Sequence, residues 1–165
     1  MKEKMIKSTA AGLLLLTGLL TLSGCSLIPP KEAPRGDDGT ISEEVNADAF
    51  SIRLGDCIND PGEGDLDRVP VVPCEKPHEF EVFHEFTIDQ EKFPETVEAM
   101  DELTESGCMN AFTTFVGVPY EESALDFTVM QPTVESWADG DKIVQCLIGD
   151  PSGVKTSGSL QGIHA

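Results

Sequence analysis

Apolar and polar residues alternate along AFSIRLGDC, with Phe50, Ile52 and Leu54 sharing one side, and this predicts a half-buried strand ending at Gly55-Asp56. NDPGEGDLD is turn-forming and acidic. RVPVVPC then returns as a second strand, pushed towards a sheet edge by Pro70 and Pro73. HEFEVFHEFTI gives the clearest strand, placing Phe80, Val82, His84 and Phe86 on one face before Ile88. The period then changes to that of a helix over FPETVEAMDELTESGCMNAFTTFVG. There Val97, Met100, Leu103, Cys108, Ala111, Phe112 and Phe115 recur at three- to four-residue steps. Pro94 suits the first helical position, Glu95 and Glu98 the positive end of the helix dipole, and Gly117 the C-terminal stop. Gly107 costs helix propensity and predicts close approach of a strand.

Strand patterns resume in ALDFTVMQPT and DKIVQCLIG, separated by a hairpin signal at Asp139-Gly140. SGVKTSGSLQGIHA reads as a weak final strand or an ordered tail. Strands, one long amphipathic helix, then strands again predict an α+β fold, with that helix packed on an antiparallel sheet.

The first 48 residues do not share this patterning. MKEKMIK carries three lysines and one glutamate ahead of the apolar run AAGLLLLTGLLTL, which is long enough for a signal segment. A comfortable membrane span needs about 20 apolar residues. Leu22-Ser23-Gly24-Cys25 then has the order of a bacterial lipobox and resembles the lipoprotein signal family. That resemblance implies cleavage after Gly24 and a diacylglyceryl thioether, with further palmitate-type acylation, on Cys25. Residues 1–24 are therefore read as a lipoprotein signal peptide. Residues 25–48 are read as an acidic, Pro-rich linker without folded elements, and 49–165 as the extracytoplasmic domain. A lipid with two or more chains is a lasting anchor.

Cleavage also changes the charge. The chain has 165 residues with 11 basic and 30 acidic side chains; losing three lysines and one glutamate leaves 8 and 29, a net charge of about −21. Nucleic acid is excluded as a partner, because its binding rests on neutralising phosphates with Lys and Arg. The same charge keeps the body off an anionic bilayer, so that membrane contact runs through the lipid, and it leaves cationic partners electrostatically welcome.

Four cysteines remain: Cys57, Cys74, Cys108 and Cys146. An even number in an exported chain reads as two disulfides, with three possible connectivities. We favour Cys57–Cys74, closing a short loop between neighbouring strands, and Cys108–Cys146, tying the buried stripe of the helix to a late strand. No Cys-x-x-Cys is present to suggest a redox pair or zinc knuckle.

Candidate chemistry is sparse. His78 and His84 lie six residues apart on one strand, about 20 Å at the strand rise, too far to share a metal ion. Asp60, Glu63, Asp65 and Asp67 crowd one loop but miss the order of an EF-hand, so an ordinary acidic turn is expected. There is no Gly-x-Ser-x-Gly. Trp137, the only tryptophan, is expected to cap the core beside the hairpin turn rather than to anchor a ligand. No catalytic residue, metal or cofactor is assigned.

The stretches LGDCIND, VPVVPCEKPHEFEVF, SGCMNAF and QPTVESWADGDKIVQCLIG, followed by TSGSLQG, resemble the septum formation-related domain of actinobacterial envelope proteins. The resemblance spans residues 50–162 and maps a framework of Asp56, Cys57, Cys74, His78, Cys108, Trp137, Gly140, Asp141 and Cys146. Among these, Asp56, His78, Trp137 and Asp141 are the candidate interaction or framework residues. Lys142 departs from the arginine expected after Gly-Asp. The expected function is a non-enzymatic interaction module, lipid-anchored on the extracytoplasmic face of the cell membrane. Its partner would be an envelope protein or cell-wall component, in a septum- or envelope-related process. The alternative is an extracytoplasmic hydrolase or metal-dependent enzyme using His78 with nearby acids.

Overall fold

The computed structural model describes residues 32–64 and 66–165. The signal segment, Cys25 and the first part of the linker lie outside the described residues. Six strands form one sheet: β1 (Val45–Asp48), β2 (Cys57–Ile58), β3 (Arg68–Val72), β4 (Phe80–Thr87), β5 (Asp126–Met130) and β6 (Ile143–Gly149). Every pairing is antiparallel, in the order β1-β3-β2-β4-β6-β5. One long helix, α1 (Val97–Val116), packs against β4 and β5, and a short helix, α2 (Val134–Ala138), joins β5 to β6. The α+β expectation holds, and so do both favoured disulfides, Cys57–Cys74 and Cys108–Cys146.

Helix α1 starts three residues later than Pro94 suggests. The Thr96 side chain accepts a hydrogen bond from the Ala99 N–H at 3.1 Å, and this cap fixes the first turn. Gly117 ends it at φ 94°, the left-handed conformation that glycine adopts without penalty. The buried stripe runs Met100, Thr104, Cys108, Phe112 and Val116 in four-residue steps, with Leu103, Ala111 and Phe115 along its flank; Val97 is exposed. Gly107 does permit a close approach, since the Phe86 ring occupies the space that a Cβ there would need. Phe112 and Phe83 meet edge to face at 6.1 Å in the middle of this layer.

Strand β4 does not keep its alternation. Its register against β6 shifts between Val82 and His84, so beyond the shift the even-numbered side chains change faces and join Phe83 under α1. A bulge of this kind re-aims the side chains that follow it. Beyond it, Phe86 lies on the helix side, and Phe80 stays on the opposite side with Val82.

That opposite face is where the sequence reading fails most. Residues 33–52, expected to be mostly linker, fold over the sheet: Ala33, Ile41, Ala47 and Ile52 are buried against Ile58, Val69, Val71 and Leu147. Within this strap Val45–Asp48 pairs with β3, which makes β3 an interior strand rather than the edge that its prolines suggested. Pro70 lacks an N–H, yet its carbonyl still accepts from Asn59 at 2.8 Å. The predicted strand at Phe50–Leu54 is a single 3-10 turn, Ala49–Ser51, with Phe50 and Leu54 exposed and only Ile52 buried. Side chains have taken over the local backbone: Asp48 accepts from the Phe50 N–H, and Asp56 from the Arg53 N–H.

The C-terminal stretch is an ordered tail, as one of the two readings allowed. Its Thr156 bridges to His78, and Leu160 is buried in the helix-side core. The Glu81 carboxylate holds the tail through the Leu160 N–H and the Ser159 hydroxyl, both at 2.7 Å. Gly162 and His164 then donate to the carbonyls of Phe115 and Val116, satisfying groups that the end of α1 leaves open.

Candidate binding groove and the predicted site residues

The framework residues fall into two groups on the sheet. Asp56 is 3 % exposed and receives both arms of the Arg35 guanidinium, Nη1 to Oδ1 and Nη2 to Oδ2, each at 2.7 Å. The carboxylate raises the arginine's already high pKa, chiefly through this hydrogen bond, so the guanidinium stays charged. Arg35 also donates to the carbonyls of Gly39 and Ser51, pinning the strap from inside. Close by, Cys57–Cys74 ties β2 to the end of β3, and the Cys74 carbonyl takes the Gly158 N–H of the tail at 2.7 Å.

His78 is fully buried. Its Nδ1 lies 2.9 Å from the Lys76 carbonyl, a geometry in which Nδ1–H donates; among the described residues Nε2 has no partner, and neither does the hydroxyl of its bridge neighbour Thr156. His84, by contrast, is half-buried and stacks on Phe86 at 5.7 Å.

Trp137 and Asp141 belong to the second group, around α2. The tandem Thr133 and Ser136 forms a capping box that starts a helix where only a hairpin turn was expected. Ser136 also donates to Asp141 at 3.1 Å, and the other Asp141 oxygen accepts from the Ile143 N–H, so Asp141 fixes the path from α2 into β6. Trp137 is 8 % exposed, meets Phe93 edge to face at 5.5 Å and carries the Lys142 ammonium over its ring at 4.9 Å. It caps the helix-side core, as expected. The Lys142 ammonium also reaches the Gln90 carbonyl, which places a lysine in a bridging role between α2 and the loop after β4.

Between the strap and α2 the sheet face opposite α1 is left open as a groove of about 870 Å³. Phe80, Met130 and Leu147 supply its apolar part, and Gln145 is held there by its amide, which donates to the Ile52 carbonyl at 2.6 Å. Its walls carry Asp60, Glu63 and Asp67 on one side and Glu135, Asp139 and Asp141 on the other, with no lysine, arginine or histidine among the lining residues. Of the predicted framework only Asp141 lines it. Sequence reasoning noted Asp60, Glu63 and Asp67 only as an acidic turn and missed that the curl of the sheet brings them opposite Glu135, Asp139 and Asp141, about 70 residues further along the chain. Among the described residues no group of three or more His, Cys, Asp or Glu is arranged to hold a metal ion. Nor is any helix among them long and apolar enough to cross a membrane.

No curated protein and no solved structure matches the chain. The family profile described as septum formation does match it, over residues 54–164, from the turn before Cys57 to the penultimate residue of the ordered tail. With that match covering most of the chain and both disulfides, the protein belongs to the septum formation family.

Proposed function

We propose that this chain is a lipid-anchored, non-enzymatic binding module on the extracytoplasmic face of the cell membrane. Family membership gives it a septum- or cell-envelope-related role. The observation that favours binding over catalysis is the burial of His78. The hydrolase alternative needs that imidazole at a substrate, but the side chain is sealed in the protein and its Nδ1 is committed to Lys76. The open groove, by contrast, offers shape and charge. Its only hydroxyls, on Thr128, Thr133 and Ser136, include a serine already engaged by Asp141 and Thr133. Anchoring is supported by the Leu22-Ser23-Gly24-Cys25 order.

The test is complementation of a deletion strain by the wild-type chain, Cys25→Ala and His78→Asn, with septum placement and membrane fractionation as readouts. Wild type should restore septa from the membrane fraction, Cys25→Ala should fail although folded, and His78→Asn should work to the extent that it folds. Full complementation by a released Cys25→Ala protein would remove the anchored reading. Turnover of cell-wall glycan or peptide by the purified chain would remove the non-enzymatic one.

A further inference from the structure

We infer that the acidic groove takes an extended, basic peptide segment of an envelope protein, laid as an added strand against β5. This rests on the binding-module reading and names the chemistry of its partner. Among the described residues strand β5 ends the sheet and pairs only with β6. The bond from the Ile88 N–H to the Lys142 carbonyl at 2.9 Å sets the parity of the ladder. With Val144 and Cys146 turning their backbone groups towards β4, Gln145 and Leu147 turn theirs towards β5. Their partners Thr128 and Met130 are thereby bonded inward, while Phe127 and Val129 present N–H and C=O groups outward. Phe127 has its N–H taken by its neighbour Asp126 at 2.8 Å, and Val129 has no backbone partner on the open side among the described residues. Unpaired edges of this kind recruit extended peptides through the main chain.

The side chains specify which peptide. Thr128 and Met130 face the groove, so alternate residues of an added strand would point into it. There they meet apolar surface from Met130, Phe80 and Leu147 beneath a rim of six carboxylates without a single cation. Lysine and arginine match that profile, because their methylene stems cover apolar surface while their charged heads reach outward. The intervening residues would lie on the helix side beside Phe127 and Val129, both partly buried in that core, and there apolar side chains fit. A repeat of cation and apolar residue therefore satisfies both faces. The net charge of −19 on the whole chain adds attraction at longer range.

The experiment uses the full-length lipidated chain in phosphatidylcholine nanodiscs and a dye-labelled peptide of alternating lysine and valine, read by anisotropy against empty discs. Binding is expected at low ionic strength, and none is expected for the glutamate-valine counterpart. Methylating every second peptide nitrogen, and separately combining Glu63→Gln, Glu135→Gln and Asp139→Asn, should each weaken binding by about tenfold or more. Those three side chains are exposed and hold no hydrogen bond among the described residues, so the thermal midpoint of the variant should not fall. Indifference to either change, or equal binding of the glutamate peptide, overturns the assignment. Absent peptide binding together with Cys25-dependent complementation would remove the groove assignment and leave the anchored module standing.

Discussion

Arg35 and Asp56 form a two-armed ion pair, with both contacts at 2.7 Å, that joins the strap to the loop before Cys57. Removing one partner leaves the other charge buried, which is more damaging than never having had the pair. Arg35→Met should therefore cost about 3 kcal/mol in denaturant unfolding. Adding Asp56→Asn should recover part of that loss, because the amide oxygen still accepts from the Arg53 N–H. An unchanged midpoint for Arg35→Met would mean that the strap contributes nothing to stability.

The two disulfides should differ in strength and in access. Cys108–Cys146 closes 38 residues and Cys57–Cys74 closes 17. Chain-entropy reasoning gives losses of about 4 and about 3 kcal/mol for the respective double alanine variants. Both Cys108 and Cys146 are fully buried, whereas Cys74 is half-buried. Graded reduction under native conditions, followed by alkylation and peptide mass spectrometry, should label Cys57 and Cys74 first. Labelling in the reverse order would contradict this burial.

Gly107→Ala tests the contact between helix and sheet. On an exposed helix the change would stabilise by about 1 kcal/mol. Here the new methyl group meets the Phe86 ring, so a net loss of about 1–3 kcal/mol is expected from overpacking. Pairing it with Phe86→Leu should return most of the loss. A Gly107→Ala protein more stable than wild type would show that the ring moves aside freely.

Tyr120 is the only tyrosine, so its ionisation can be followed directly by ultraviolet absorbance. Its hydroxyl donates to Asp126 at 2.7 Å, and that bond, followed by burial, raises its pKa above the ordinary 10.0. A raised pKa means that the stabilisation is fully present below pH 10 and is lost as pH rises through the native midpoint. The native protein should titrate above the urea-unfolded one, and Asp126→Asn should narrow the gap. Coincident curves would show that the bond to Asp126 does not form in solution.

The sequence made the helix, the late strands and both disulfides legible because each rests on a local period or on pairing within a small set of cysteines. The four-residue steps from Met100 to Val116 survive any tertiary context. The strap did not announce itself: Ala33, Ile41 and Ala47 are small or isolated apolar residues among Pro, Gly and acids, and their burial depends on a surface made elsewhere in the chain. The bulge after Val82 was equally silent, since an alternating pattern carries no mark of the position at which it slips. The α2 cap at Thr133 and Ser136 was readable in principle, but the stronger Asp139-Gly140 turn signal masked it. Of the groove, Asp141 had been singled out for its place in a motif, and Asp60, Glu63 and Asp67 only as an acidic turn, with nothing to show that the two stretches face each other.

Because Ala33 is already packed on the sheet, a lipid of the kind proposed for Cys25 would have at most residues 26–32 as its leash, not the whole of residues 25–48. Its seven intervening residues, 26–32, span about 25 Å at full stretch, less than the width of the body they hold, roughly 35 Å for a domain this size. On the proposed anchor the domain would thus be moored close rather than floated, unable to leave the bilayer's immediate vicinity. Any segment docking in its groove would then have to come from a neighbour whose own chain emerges within about two domain widths of the membrane surface.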